Sequence, residues 1–257
     1  MINQISHHLH ARSAALLATM HERLAQIFLG WMVLVTAACT ARLASSPTQV
    51  RDLVDPTVGT YLLLVFAPIA SALFALRWFK DDEVQPQPII RFARMGRWRN
   101  VSLVEAQAHP LYGTSGIMVS LLVGMLLNAV FRIGEYILAI PPITNRAPEW
   151  VQLLQLAMAA DAVVFASLYV IAFVTALKRI PLFPRLLVMI WLADIVMQLV
   201  IATLIGPRGD LPPGAASALK DLLYGAVQKV LISIAVWMPY LLLSKRVNVT
   251  FRLRVAN

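Results

Sequence analysis

The chain has 257 residues, of which 59% are hydrophobic and only 14% charged. Its mean hydropathy is +0.72. A soluble domain carries about 25% charged residues, so this composition excludes a water-soluble fold and points to lipid as the surrounding solvent. The formal net charge of +9 does not indicate nucleic acid, because the Lys and Arg residues sit in short tracts between apolar runs, where they set membrane orientation.

The first 23 residues precede the first apolar run. That run is too long for the apolar core of a cleaved leader, so the N-terminus is expected to be retained. His7, His8, His10 and His21 lie here without the spacing of a tight metal site, and no metal is expected. An amphipathic helix on the membrane surface is the expectation for 1–23.

Six apolar runs follow, each long enough to cross a hydrocarbon core about 30 Å thick as a helix. They are Leu24–Ala44, Val58–Trp78, Tyr112–Ile140, Trp150–Leu177, Leu182–Ile205 and Ala218–Leu243. The lack of strand-like alternation argues against a barrel. The predicted fold is therefore all-α, a polytopic membrane helix bundle of about six transmembrane helices. Cys39, the one cysteine, lies within the first run and has no disulfide partner.

The connecting tracts give the orientation. One side holds Arg12, Arg23, Arg77, Lys80, Arg91, Arg94, Arg97, Arg99, Lys178, Arg179, Arg185, Lys245, Arg246, Arg252 and Arg254. The other holds Arg42, Arg51, Arg146, Arg208 and Lys220. The richer side is expected to be cytoplasmic, with both termini inside and the protein in a bacterial inner membrane. The loop between the second and third runs, 79–111, turns basic and apolar from Ile89 to Arg99. Arg91, Arg94, Arg97 and Arg99, with Lys245 and Arg246 after the last run, are expected to meet anionic lipid head groups. A membrane protein partner is also expected, and no nucleic acid. The organisation is read as an N-terminal segment 1–23, a two-helix part 24–78, the basic loop 79–111 and a four-helix part with its tail, 112–257.

Charges inside hydrocarbon are costly and usually pair or mark a pathway. Five stand well inside the runs: Arg132, Glu135, Asp161, Asp194 and Lys229. Helical rise puts Asp161, Asp194 and Lys229 about 16 Å below the outer face, with Arg132 and Glu135 a layer higher. On those depths Lys229 is expected to pair with Asp161 or Asp194, and Arg132 to lie nearer Glu135. Asn128 and Gly124 continue the Arg132 face. Gln198 shares a face with Asp194, and Asp221, Gly225, Lys229 and Ser233 form one stripe. An ion-paired core that glues the bundle and a polar pocket or proton path both fit this pattern.

No His lies within a run, so intramembrane haem is not expected. The chain has no phosphate-binding glycine loop and no metalloprotease or hydrolase motif. No cofactor and no catalytic residue are expected. The leading expectation is a non-enzymatic accessory or scaffold subunit of a membrane complex. A small transporter or proton-coupled channel using the midplane charges is the alternative.

The segment from Trp237 through Pro239-Tyr240 and Ser244-Lys245-Arg246-Val247 to Thr250-Phe251 resembles the closing motif of the bacterial membrane family catalogued as domain of unknown function 2569. Lys178-Arg179 and Phe183-Pro184-Arg185-Leu186 are similar to the same family's basic turn. Asp161 stands where the resemblance implies an acidic residue, and Asn248 where it implies Lys. The resemblance covers about 112–252, implies a four-span fold and implies no activity. On their own chemistry, Trp237 and Tyr240 suit the membrane interface, Pro239 ends or kinks the last span, and Ser244-Lys245-Arg246 anchors it.

Overall fold

A computed structural model describes residues 23–46, 55–79, 86–89, 97–144, 146–206 and 212–256. The amphipathic segment expected over 1–23 therefore lies outside the described residues, Arg23 excepted, as do Arg91 and Arg94.

Among the described residues, six helices are long and apolar enough to cross a membrane. They are α1 (Leu24–Ala44), α2 (Pro56–Trp78), α4 (Ile117–Ala139), α5 (Glu149–Leu177), α6 (Phe183–Ile205) and α7 (Pro213–Leu243). Between α2 and α4 come a short strand, β1 (Trp98–Asn100), and a short helix, α3 (Leu103–Ala108). After α7 come α8 (Lys245–Arg252) and β2 (Arg254–Ala256). The protein is a multi-pass membrane helix bundle, as its composition predicts.

Helix ends differ from the apolar runs for local reasons. α2 and α7 start at Pro56 and Pro213, where a proline in the first turn loses no helical hydrogen bond. α4 starts later than Tyr112 because Gly113 and Gly116 have φ of 104° and 72°, which breaks the helix before Ile117. Pro239 does not end α7, which continues to Leu243.

α5 is the axis of the bundle. Its most apolar stretch is 72% buried, against 11% for α1 and α7. It packs along α2, α4 and α6, while α7 packs mainly on α6 and α1 mainly on α2. Ala159, Ala162, Ala166, Ala172 and Ala176 are buried on α5. Such small side chains let neighbouring helices approach closely, which drives association where lipid supplies no hydrophobic contrast. The opposite faces of the peripheral helices expose Leu29, Val33, Leu62, Phe66, Leu192 and Val196 to lipid.

Polar clamps lock both ends. On the less basic side, the fully buried Thr57 hydroxyl donates to Ile143 O at 2.8 Å and accepts from Ile143 N at 2.9 Å and Gln155 Nε2 at 3.1 Å. One donor and two acceptor sites are thus all used, tying α2 to the α4–α5 turn and to α5.

The basic side carries a small folded layer. β1 and β2 pair antiparallel, with Trp98 opposite Ala256 and Asn100 opposite Arg254. Ser244 caps α8 by accepting from Val247 N at 3.4 Å. Every α8 residue from Arg246 to Arg252 is buried. Phe251 packs on Phe183 at the start of α6, with ring centroids 5.0 Å apart. Thr250 Oγ1 accepts from Gly113 N at 3.0 Å and donates to Gly113 O at 3.2 Å.

This layer changes the reading of the closing motif. Lys245 faces outward, but Arg246 turns inward and donates to Ser115 Oγ at 2.8 Å. Arg252 donates to Leu241 O at 2.8 Å, one of the carbonyls left over at the end of α7. Burial, with Arg254 and Arg185 adding repulsion, pushes the Arg252 guanidinium down to about 10. The motif is a docked element with Lys245 at its rim. Of the other expected head-group ligands, Arg97 and Arg99 are exposed, and Arg99 pairs with Glu105 at 2.5 Å.

Candidate functional site: a charged cleft between α4 and α7

Arg132 on α4 bridges two acids from different helices. Its Nη1 lies 2.7 Å from Asp161 Oδ2 on α5 and its Nη2 2.5 Å from Asp194 Oδ2 on α6. The three side chains are 11%, 8% and 0% exposed. The guanidinium also sits over the Phe165 ring, 4.9 Å from its centroid. Gln198, one turn after Asp194, donates its Nε2 to Asp161 Oδ1 at 2.8 Å and to Asp194 Oδ1 at 3.4 Å. The Tyr169 hydroxyl engages Asp194 from two turns further along α5. A charged triad is thereby held at membrane depth by four hydrogen bonds and a ring, which is what burial of charge requires.

Lys229 on α7 pairs with Glu135 on α4, not with Asp161 or Asp194. The expected partners are thus exchanged. Side-chain direction explains it. Side chains on a helix lean toward its N-terminus. α4 runs away from the basic side, so Arg132 leans back toward the middle, where Asp161 and Asp194 lie. α7 runs toward the basic side, so Lys229 leans outward and meets Glu135. The long side chains of Arg132 and Lys229 cover the layer difference that separates their Cα atoms from those of their partners. Glu135 and Arg132 are three residues apart, and the rotation between them aims one at α7 and the other at α5 and α6.

The two pairs differ in setting. The Glu135 and Lys229 side chains are 54% and 58% exposed. α4 and α7 make little backbone contact, so this bridge spans an open seam. Behind it lies a cavity of about 370 Å³. Asn128, Arg132 and Glu135 line it from α4, Asp161 from α5, Gln198 from α6, and Lys229 and Ser233 from α7. Asp221 and Gly225, the first members of the predicted α7 stripe, do not line it.

Four of the five sequence-predicted charges therefore line one cleft, and the fifth, Asp194, is fully buried against Arg132. The sequence reading missed Phe165 and Tyr169. Both lie on the Asp161 face of α5, four and eight residues on, so helical period carries the signal that would have found them. Asn128 Oδ1, Gln198 Oε1 and the Tyr136 hydroxyl oxygen, all on cavity-lining residues, are buried without a hydrogen-bond partner.

Comparison with known proteins gives one finding. The model of the family described as protein of unknown function (DUF2569) matches residues 113–252. That match takes in α4 to α8 and every charge of the cleft. Nothing among curated proteins or solved structures matches the chain. The match covers more than half of the chain and includes its closing motif, so the protein belongs to the DUF2569 family.

Proposed function

We propose that the protein is a non-enzymatic accessory or scaffold component of a bacterial inner membrane, and that it receives another membrane component in the α4–α7 cleft. The observation that carries this reading is the half-exposed Glu135–Lys229 bridge across an open seam at membrane depth. Charges there are costly against lipid tails and are favoured when something polar covers them. The test is affinity purification from native membranes, with protein and lipid mass spectrometry. Wild type is expected to retain a component that Glu135→Gln/Lys229→Met loses several-fold. Identical sets in both would overturn the reading.

A transporter reading draws on the Arg132–Asp161–Asp194 triad beside the cavity. Proton-driven solute uptake in liposomes, lost in Asp161→Asn, would replace the accessory reading with that one.

The orientation proposed is the one the positive charges favour, with the basic side in the cytoplasm. Exposed Arg97, Arg99 and Lys245 form its rim and are placed against anionic head groups, each worth about 1 kcal/mol near the surface. Gln87 lies on this side, donating to Phe251 O at 3.3 Å. Gln87→Cys is expected to react with an impermeant maleimide in inverted vesicles and not in intact cells, and faster as salt lifts the rim from the head groups. Reaction in intact cells overturns the orientation, and a salt-independent rate overturns the lipid contact.

A further inference from the structure

We propose that the cleft binds a primary ammonium group, carried either by a small soluble amine or by the head group of an ethanolamine lipid. This deepens the accessory reading and rests on the cleft being a binding site. Two independent observations carry it.

The first is an unmet demand for donors. Gln198 is 2% exposed, and its amide nitrogen is committed to the carboxylates of Asp161 and Asp194. That assignment fixes the amide, because an oxygen in place of the nitrogen would face two acceptors. Its Oε1 therefore remains buried without a partner, in a side chain that lines the cavity. Asn128 Oδ1 is a second unpartnered acceptor on the same wall. Buried acceptors left unmade are costly, so the occupant must donate.

The second is charge. Arg132 and Lys229 stand against Asp161, Asp194 and Glu135, so the charge cluster carries one acid more than its bases, with Asp194 held against Arg132 off the cavity wall. A monovalent cation balances it. An anion would worsen both deficits, and a neutral acceptor such as an ester carbonyl would relieve neither. A primary ammonium combines one positive charge with three N–H donors, enough for Gln198 Oε1, Asn128 Oδ1 and a carboxylate oxygen at once. A quaternary ammonium supplies the charge and no donor. The 370 Å³ of space and the open seam between α4 and α7 admit such a group from the side.

The test is the melting midpoint of the purified full-length protein in detergent, titrated with ethanolamine hydrochloride. Tetramethylammonium chloride and sodium chloride at equal ionic strength are the controls. Ethanolamine is expected to raise the midpoint with saturation, and the controls are not. Gln198→Leu is expected to weaken the apparent affinity about tenfold or more, as loss of a charge-assisted hydrogen bond does. Asn128→Leu is expected to weaken it as well, and it supplies the comparison if Gln198→Leu does not fold. Nanodiscs separate the sources. If the lipid is the ligand, phosphatidylethanolamine raises the midpoint over phosphatidylcholine and added ethanolamine then adds nothing. If the soluble amine is the ligand, ethanolamine acts equally in both. Equal shifts from tetramethylammonium, wild-type shifts in both variants, or no shift in either arm would overturn the proposal. A cleft-dependent partner recovered alongside such a result would leave the accessory reading standing and remove only the ammonium.

Discussion

Arg132→Met is expected to destabilise the detergent-solubilised protein by about 3–5 kcal/mol, the largest loss among the cleft charges. The guanidinium is the cation seen against both Asp161 and Asp194, at 2.7 and 2.5 Å. Without it two carboxylates face each other in a site where Asp194 is fully buried. Arg132→Met/Asp161→Asn/Asp194→Asn removes the charges together and is expected to recover much of the loss, because matched neutral replacement of a buried ionic set can be close to neutral. Lys229→Met is expected to cost less. Its side chain and that of Glu135 are more than half exposed, and a lone Glu135 can take up a proton. Melting midpoints for the four proteins decide the matter. If Lys229→Met is as damaging as Arg132→Met, the assignment of pairs is wrong. If the triple variant is no better than Arg132→Met, hydrogen bonding and not charge balance holds the triad.

The six spans were legible because their signal is additive: about 20 apolar residues in succession can be read without knowing any neighbour. The members of the cleft were legible for the same kind of reason, since a charge inside such a run stands out by its cost. Their pairing was not. Depth counted along Cα atoms puts Lys229 beside Asp161 and Asp194. The side chains depart from those levels in opposite directions, because α4 and α7 run oppositely. The direction of each helix was already known from the alternation of loops, so the lean of Arg132 and Lys229 was available in principle.

The basic-side layer was legible only in part. Lys245 and Arg246 read as anchoring charge, and Arg252 and Arg254 as orientation charge, because their spacing does not reveal which face is covered. What covers it is distant in sequence: Gly113 and Ser115, which precede α4, Phe183 at the head of α6, and β1 at 98–100. Hydropathy sees none of these. Nor does it see that Asn248 accepts from Arg252 at 3.3 Å and donates to Ser244 O at 3.0 Å, holding a polar helix together inside a protein shell.

Phe251→Ala tests whether that layer is docked or merely adjacent. Phe251 is 1% exposed, packs on Phe183 and belongs to the same buried cluster as Val247, Leu187 and Trp191. Removing a buried phenylalanine ring costs about 3–5 kcal/mol, through lost burial and the cavity left behind. Its ring partner Phe183 belongs to α6, so the loss falls on the docking of α8 against the bundle and not on α8 itself. The expected result is a lower melting midpoint together with protease cleavage between Ser244 and Arg254, which wild type resists. Phe251→Leu keeps most of the volume and is expected to cost less than about 1.5 kcal/mol. A head-group anchor predicts the reverse ranking. In that case Lys245→Ala/Arg246→Ala would release the segment while Phe251→Ala left it in place, since lipid would hold it by charge and the ring would have no partner to lose. A wild-type midpoint and wild-type protease resistance in Phe251→Ala would return the closing motif to the anchoring role that its charges suggest.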